Sequence, residues 1–147
     1  MENAPIKRGQ IRFIKIPYAT GCEQRNDRPG VIVSNNKNNQ HSGTVEVVYL
    51  TQAQKKDMPT HVTVRDGVRR STALAEQIHT VDVSRVGTLL GYVTDQEMQA
   101  LNISMQISLG IQDEQPTAQK DDAYIRLECE RDLYRKLYTD LLVKVVQ

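Results

Sequence analysis

Short apolar runs broken by turn residues fill the chain as far as Val93, and a 3–4 spacing takes over after Thr94. Ile11 to Ile16 alternates imperfectly and stops at Pro17. Gly30 to Ser34 is a continuous apolar run, the pattern of a buried strand. Asn35 to Gly43 is polar and reads as a turn segment. Thr44 to Leu50 is rich in β-branched residues. Thr60 to Val64, Thr72 to Thr80 and Thr88 to Val93 read as further strands. Short strands with frequent turns predict a small barrel-like antiparallel sheet. Thr94-Asp95-Gln96-Glu97 then has the form of a capping box, in which Thr94 accepts from a backbone N–H three residues on and Glu97 reaches back. Met98, Leu101, Met105 and Leu109 fall on one face of the helix that follows, and Gly110 is a natural stop. Packing of that face on the sheet is its expected role.

Gln112 to Gln119 is polar and contains Pro116, so the spacing predicts a domain over residues 1–111, a linker over 112–120 and a helical extension over 121–147. In the extension Tyr124, Leu127, Tyr134, Tyr138, Leu141 and Val145 keep a heptad seam that Arg131 interrupts. A helix of that length spans on the order of 40 Å. Its apolar face predicts packing on its own domain, on a second copy or on a partner.

Composition narrows the class. The 147 residues suffice for one ordinary domain and an appendage, and with no Trp and one Phe the core must rely on Val, Ile, Leu and a few Tyr. No stretch approaches the roughly 20 apolar residues of a membrane helix, and no secretory pattern opens the chain. Cys22 and Cys129 lie in unrelated contexts and predict neither a disulfide framework nor a zinc site. The expectation is a cytoplasmic protein with no metal and no cofactor. Charge is uneven. Residues 1–70 hold 12 Lys/Arg against 6 Asp/Glu, and residues 71–147 hold 7 against 12. A basic half suits a polyanion, though ordinary surface charge would look the same.

The densest chemistry lies in Gly21-Cys22-Glu23-Gln24-Arg25-Asn26-Asp27-Arg28-Pro29, between two strand-like runs. Two arginines, carboxylates and an amide on one loop can meet phosphate and base edges together. Pro29 restricts Arg28 to extended backbone, and its guanidinium is a planar, permanently charged fork suited to phosphate. By itself Arg28 could equally form a surface ion pair with Asp27 or Glu23. Arg8-Gly9, Leu50-Thr51, Pro59-Thr60-His61-Val62 and Glu76-Gln77-Ile78-His79-Thr80-Val81-Asp82 follow the same order as blocks of a known family. From about Ile6 to Gly110 the chain resembles the MazF/PemK-type endoribonuclease toxins of bacterial toxin–antitoxin pairs. Gln112 to Gln147 lies outside that pattern.

The resemblance implies an α+β fold that is mainly β, with a small SH3-like barrel shared with gyrase-poison toxins. It implies sequence-selective, metal-independent cleavage of single-stranded RNA through a 2′,3′-cyclic phosphate. Arg28 and Thr51 match the positions that carry catalysis, Arg28 at the phosphate and in proton transfer near the 2′-oxygen, and Thr51 at a phosphate oxygen or the leaving group. Glu23, Gln24, Arg25, Cys22 and Gln77 are expected along the RNA groove, with His61 framing the cleft, His79 nearby, and Tyr18 able to stack an unpaired base. Lys55 and Lys56 read as solvated charges attracting the backbone. The family usually carries Ser at Cys22 and Arg at His79, so one phosphate contact and one permanent charge are altered here. Implied partners are single-stranded RNA, a cognate antitoxin with an acidic flexible tail, and a second copy in a homodimer, or a higher oligomer joined by the C-terminal helix. The alternative is a binding module of the same fold that does not cleave, such as a gyrase poison.

Overall fold

The computed structural model describes residues 4–66, 69–111 and 130–139, excluding the Asp66 side chain. The chain divides into two units, Met1–Glu114 and Gln115–Gln147. In the first, the strands are β1 (Gln10–Ile14), β2 (Arg28–Ile32), β3 (Thr44–Thr51), β4 (His61–Asp66), β5 (Arg69–Asp82) and β6 (Val86–Tyr92). They form one antiparallel sheet in the order β4-β5-β3-β2-β1-β6. Two helices accompany it, α1 (Asn36–His41) and α2 (Asp95–Ser108). The fold is mainly β with helices, as the runs predict. In the second unit, residues 130–139 are helical, with Leu133, Tyr134, Leu137 and Tyr138 exposed. Most of the extension expected over 121–147, and the linker over 112–120, lie outside the described residues.

Strand side chains alternate between faces, and both faces here carry a core. Ile11, Val31, Val33, Val48, Leu50, Val64 and Ala73 gather on one side with Leu101 of α2, and Met98 and Met105 pack against them. Ile14, Ile32, Val45, Val47, Tyr49, Val81 and Val86 gather on the other, with Ile6 and Ile16 against them. Ile11 of β1 and Val64 of β4 share one cluster although three strands separate them, so the sheet is strongly curled. The capping box of α2 is complete: Glu97 N donates to Thr94 Oγ1 at 3.2 Å and Thr94 N donates to Glu97 Oε2 at 2.8 Å. Gly110 has the positive φ of 67° that ends a helix. Leu109, expected on the packed face, is the C-cap and is exposed. Leu101 has no exposed surface, so Leu101→Ala is expected to destabilise the protein by about 2–5 kcal/mol, read from the urea midpoint.

The polar segment expected as a turn contains α1 instead. Asn35 caps it by accepting from Asn38 N at 2.8 Å. That cap was legible in the sequence, but six residues are too short for any apolar periodicity. The β5 strand runs from Arg69, well before Thr72, because its pairing with β4 continues to the hairpin at Asp66↔Arg69. Arg12 is fully buried on the side of the second core. It donates to Gln10 Oε1 at 2.8 Å, Gly87 O at 3.2 Å and Ala4 O at 2.6 Å. A guanidinium inside the sheet thereby ties down the segment that carries Ile6.

Candidate active site

Arg28 opens β2, opposite Ile14 of β1. On its other side β2 pairs with β3 through Gly30↔Tyr49 and Val31↔Val48. That ladder stops at Gly30↔Tyr49, two residues short of Arg28 and two residues short of Thr51, the last residue of β3. The two sit on the same face as Tyr49, since positions two apart on a strand share a face. Gly30 permits this packing. A Cβ there would lie 3.2 Å from Ile14 Cγ1 and 3.4 Å from Val48 O.

The loop before Arg28 is held by its own polar groups. Ile16 N donates to Asp27 Oδ1 at 2.7 Å, and Thr20 N donates to Glu23 Oε2 at 2.9 Å. Asn26 takes a positive φ of 68°. The Arg28 guanidinium turns into this loop: Nε donates to Asn26 O at 3.2 Å, and the two terminal nitrogens donate to Gln24 Oε1 and Arg25 O. Among the described residues it forms no ion pair with Asp27 or Glu23, whose carboxylates each accept from a backbone N–H group. Burial pushes the Arg28 pKa below its usual value, with Tyr49 acting in the opposite sense. An arginine starts so high that it stays charged near neutral pH.

Gln77 joins the loop to the sheet. Its Oε1 accepts from Gln24 N at 3.1 Å and its Nε2 donates to Cys22 O at 3.5 Å. A bulge makes this possible. Val48 pairs with Ile78 but Leu50 pairs with Ala73, so β5 carries extra residues there and Gln77 is freed from the β3 ladder. Cys22, Gln24, Arg28 and Gln77 are therefore one hydrogen-bonded set. Thr51 is nearly buried, at 9% exposure. Its Oγ1 accepts from Ala53 N at 3.2 Å, and its hydroxyl proton has no acceptor among the described residues.

Other expected residues lie around this set. His61 has both ring nitrogens engaged, Nδ1 with Lys56 O at 2.7 Å and Nε2 with Glu76 Oε1 at 2.9 Å. Burial raises the Glu76 pKa, but its own backbone N–H and His61 outweigh that, so the carboxyl sits below its ordinary 4.5. Arg25 donates to Gly21 O at 3.3 Å. With Ile16, Pro17, Ala19, Asn26 and Asp27 it lines an open pocket of about 680 Å³. Tyr18 is 90% exposed and stands apart from the set.

Two residues passed over in the sequence enter here. Tyr49 is buried and faces the His79 ring, with centroids 4.7 Å apart. Burial raises its pKa, while the charge and hydrogen bond of Arg85 and the charge of Arg28 lower it. Its place two residues before Thr51 was the available signal. Arg85 also donates from Nε to Lys15 O at 2.8 Å; nothing local in the sequence marks it.

His79 lies below its ordinary 6.5, chiefly through burial, with Glu23 opposing and Arg85 reinforcing the shift. On acidification the unfolded chain takes this proton first. The His79 contribution to stability is therefore complete above about 6.5 and is lost as pH falls through the lower folded value. Glu76 responds only below 4.5. From about pH 7 to about pH 5 the urea midpoint is expected to fall less in His79→Gln than in the parent. Equal slopes would refute this.

Among the described residues, no group of three or more His, Cys, Asp or Glu is placed to hold a metal ion. Nor is any helix long and apolar enough to cross a membrane.

The fold and site together define a small antiparallel-sheet protein with an arginine at the start of one strand and a hydroxyl at the end of the strand next to it, residue types that suit an anion. Residues 7–109 match the family described as the PemK-like, MazF-like toxin of type II toxin–antitoxin systems. An Endoribonuclease MazF of Staphylococcus saprophyticus is 34% identical over 111 residues, covering 72% of this chain and 92% of the relative. Endoribonuclease EndoA of Bacillus subtilis is 35% identical over 113 residues, covering 74% and 97%. Among solved structures, a mycobacterial endoribonuclease in complex with its cognate antitoxin superposes with a TM-score of 0.63 at 28% identity, covering 76% of this chain and 99% of that one. The chain belongs to the PemK-like, MazF-like toxin family.

Proposed function

We propose that this toxin, an endoribonuclease like its curated relatives, cuts single-stranded RNA at a short preferred sequence without a metal ion. What supports this reading is that Arg28 and Thr51 each lie two residues beyond the point where the β2–β3 pairing stops, at Gly30↔Tyr49. RNA brings its own nucleophile. The 2′-oxygen attacks the adjacent phosphorus and gives up its proton, the bond to the 5′-oxygen breaks, and that oxygen leaves with a proton. The products are a 2′,3′-cyclic phosphate and a 5′-hydroxyl. Charge builds on the phosphoryl oxygens in the transition state, where preorganised donors act most strongly. Arg28 supplies a fixed positive fork. Thr51 supplies a free O–H to a phosphoryl oxygen or to the leaving group. Charge stabilisation suits Arg28 better than proton abstraction, since its pKa is too high for a good base.

Before RNA binds, the Arg28 fork is satisfied by Gln24 and loop carbonyls, and a phosphate would replace these neutral acceptors with a charged one. The linked amides of Gln24 and Gln77, with Glu23, Arg25 and Cys22, then stand where base edges would pass. Unstacked bases are what single-strand recognition reads. His79 adds charge only when protonated. His61 braces the 52–60 loop beside the cleft, and Tyr18 is free to stack a base.

The curled sheet closes as an SH3-like barrel of the toxin type. Two copies build the RNA groove between them, and an acidic antitoxin segment covers the same groove in the cytoplasm. The mycobacterial neighbour bound to its antitoxin supports such a partner. The C-terminal extension offers a second contact between copies.

The test is incubation with a long RNA in EDTA. Discrete fragments ending in cyclic phosphate are expected. Intact RNA together with tight binding to DNA gyrase would establish the non-cleaving module instead.

A further inference from the structure

Beyond the site itself, the β4–β5 hairpin carries charge that the fold leaves unanswered. Thr51 pairs with Thr72, and Thr72 pairs with Thr63, so these three side chains form a row across β3, β5 and β4. One row further along the same face, Arg65 stands directly opposite Arg70. Both are exposed, whereas Val64, Ser71 and Ala73 on the reverse face are buried. Like charges directly opposite each other in a sheet are destabilising. Neither guanidinium has a hydrogen bond or ion pair among the described residues. The Glu97 carboxylate does not answer them, because its oxygens accept from the backbone N–H groups of Arg65 and Thr94. Arg69 stands opposite Asp66 in the ladder and is not counted.

We infer that Arg65 and Arg70 form a second phosphate-binding station, which holds the RNA backbone about 7 Å beyond the Thr51 row. Two facing guanidiniums that repel each other in the free protein lose that repulsion when phosphates come between them. The station reads no bases. It contributes affinity for RNA long enough to extend past the cleft, and it leaves the chemical step alone. This rests on the nuclease reading, and it predicts which part of a long substrate the protein grips.

The test uses Arg65→Gln/Arg70→Gln and Arg65→Lys/Arg70→Lys, each shown to be folded by cooperative thermal unfolding, with a midpoint in the Gln variant no lower than the parent's because the repulsion is gone. The binding probe is fully 2′-O-methylated single-stranded RNA, long or short, which lacks the attacking hydroxyl. For the long probe, the slope of log affinity against log salt is expected to fall in the Gln variant by about 1.4, at about 0.7 for each lost phosphate contact. The Lys variant should keep the slope, and the short probe should not distinguish the proteins. On long cleavable RNA, KM should rise with kcat unchanged. An unchanged slope with cleavage intact would overturn this station alone. Loss of affinity for a polyglutamate peptide with RNA binding intact would overturn it in favour of a protein-docking surface. Absence of cleavage by the parent protein would instead overturn the nuclease reading.

Discussion

Arg28→Ala is expected to lower the cleavage rate by about 10²–10³, measured as kcat on RNA in EDTA. The loss should fall on kcat more than on KM, because the fork matters most when the phosphorus carries its extra charge. The fold should survive. Arg28 is only half-buried, its acceptors are a side-chain amide and two loop carbonyls, and the loop retains its Gln77 and Asp27 anchors. Arg28→Lys should recover only part of the rate, since an ammonium keeps the charge but not the planar fork. An alanine variant as fast as the parent would remove Arg28 from the chemistry, and the nuclease proposal would then need another cation.

Arg12→Met is expected to be the most damaging substitution to stability, at about 3 kcal/mol or more. A hydrogen bond to a charged group contributes about 1.5–3 kcal/mol, and a buried acceptor left without its donor costs about 1–3 kcal/mol. Arg12 serves Gln10, Gly87 and Ala4 at once, so its loss opens several acceptors and loosens the segment that brings Ile6 to the second core. Methionine nearly matches the volume, so the effect isolates the lost donors from a cavity. Urea denaturation reads it as a lower midpoint. A shift smaller than that of Leu101→Ala would show that water or neighbouring groups replace the guanidinium.

Arg12 also marks where sequence reading stops. Alternation puts it on the same face as Ile14, but nothing local in the sequence names the partners Gln10, Gly87 and Ala4 that allow a guanidinium to be buried there. Gln77 is a similar case. Its place after Glu76 was visible, but its bonds to Gln24 and Cys22 depend on a register shift that no local spacing reveals. His61 was expected to frame the cleft, but that both its ring nitrogens are taken, by Lys56 O and Glu76 Oε1, depends on contacts between separate segments.

Local preference was enough to set the strands, the cap of α2 at Thr94 and its stop at Gly110, because each depends on neighbours within a few residues. The blocks around Arg28, Thr51 and Gln77 were likewise sufficient to point to a toxin family. Tertiary structure decided what stands beside what: Gln77 with Gln24 and Cys22, Tyr49 with His79, Arg65 with Arg70. Those pairings come from strand register and sheet curl, which long-range packing of two cores selects and no single segment encodes.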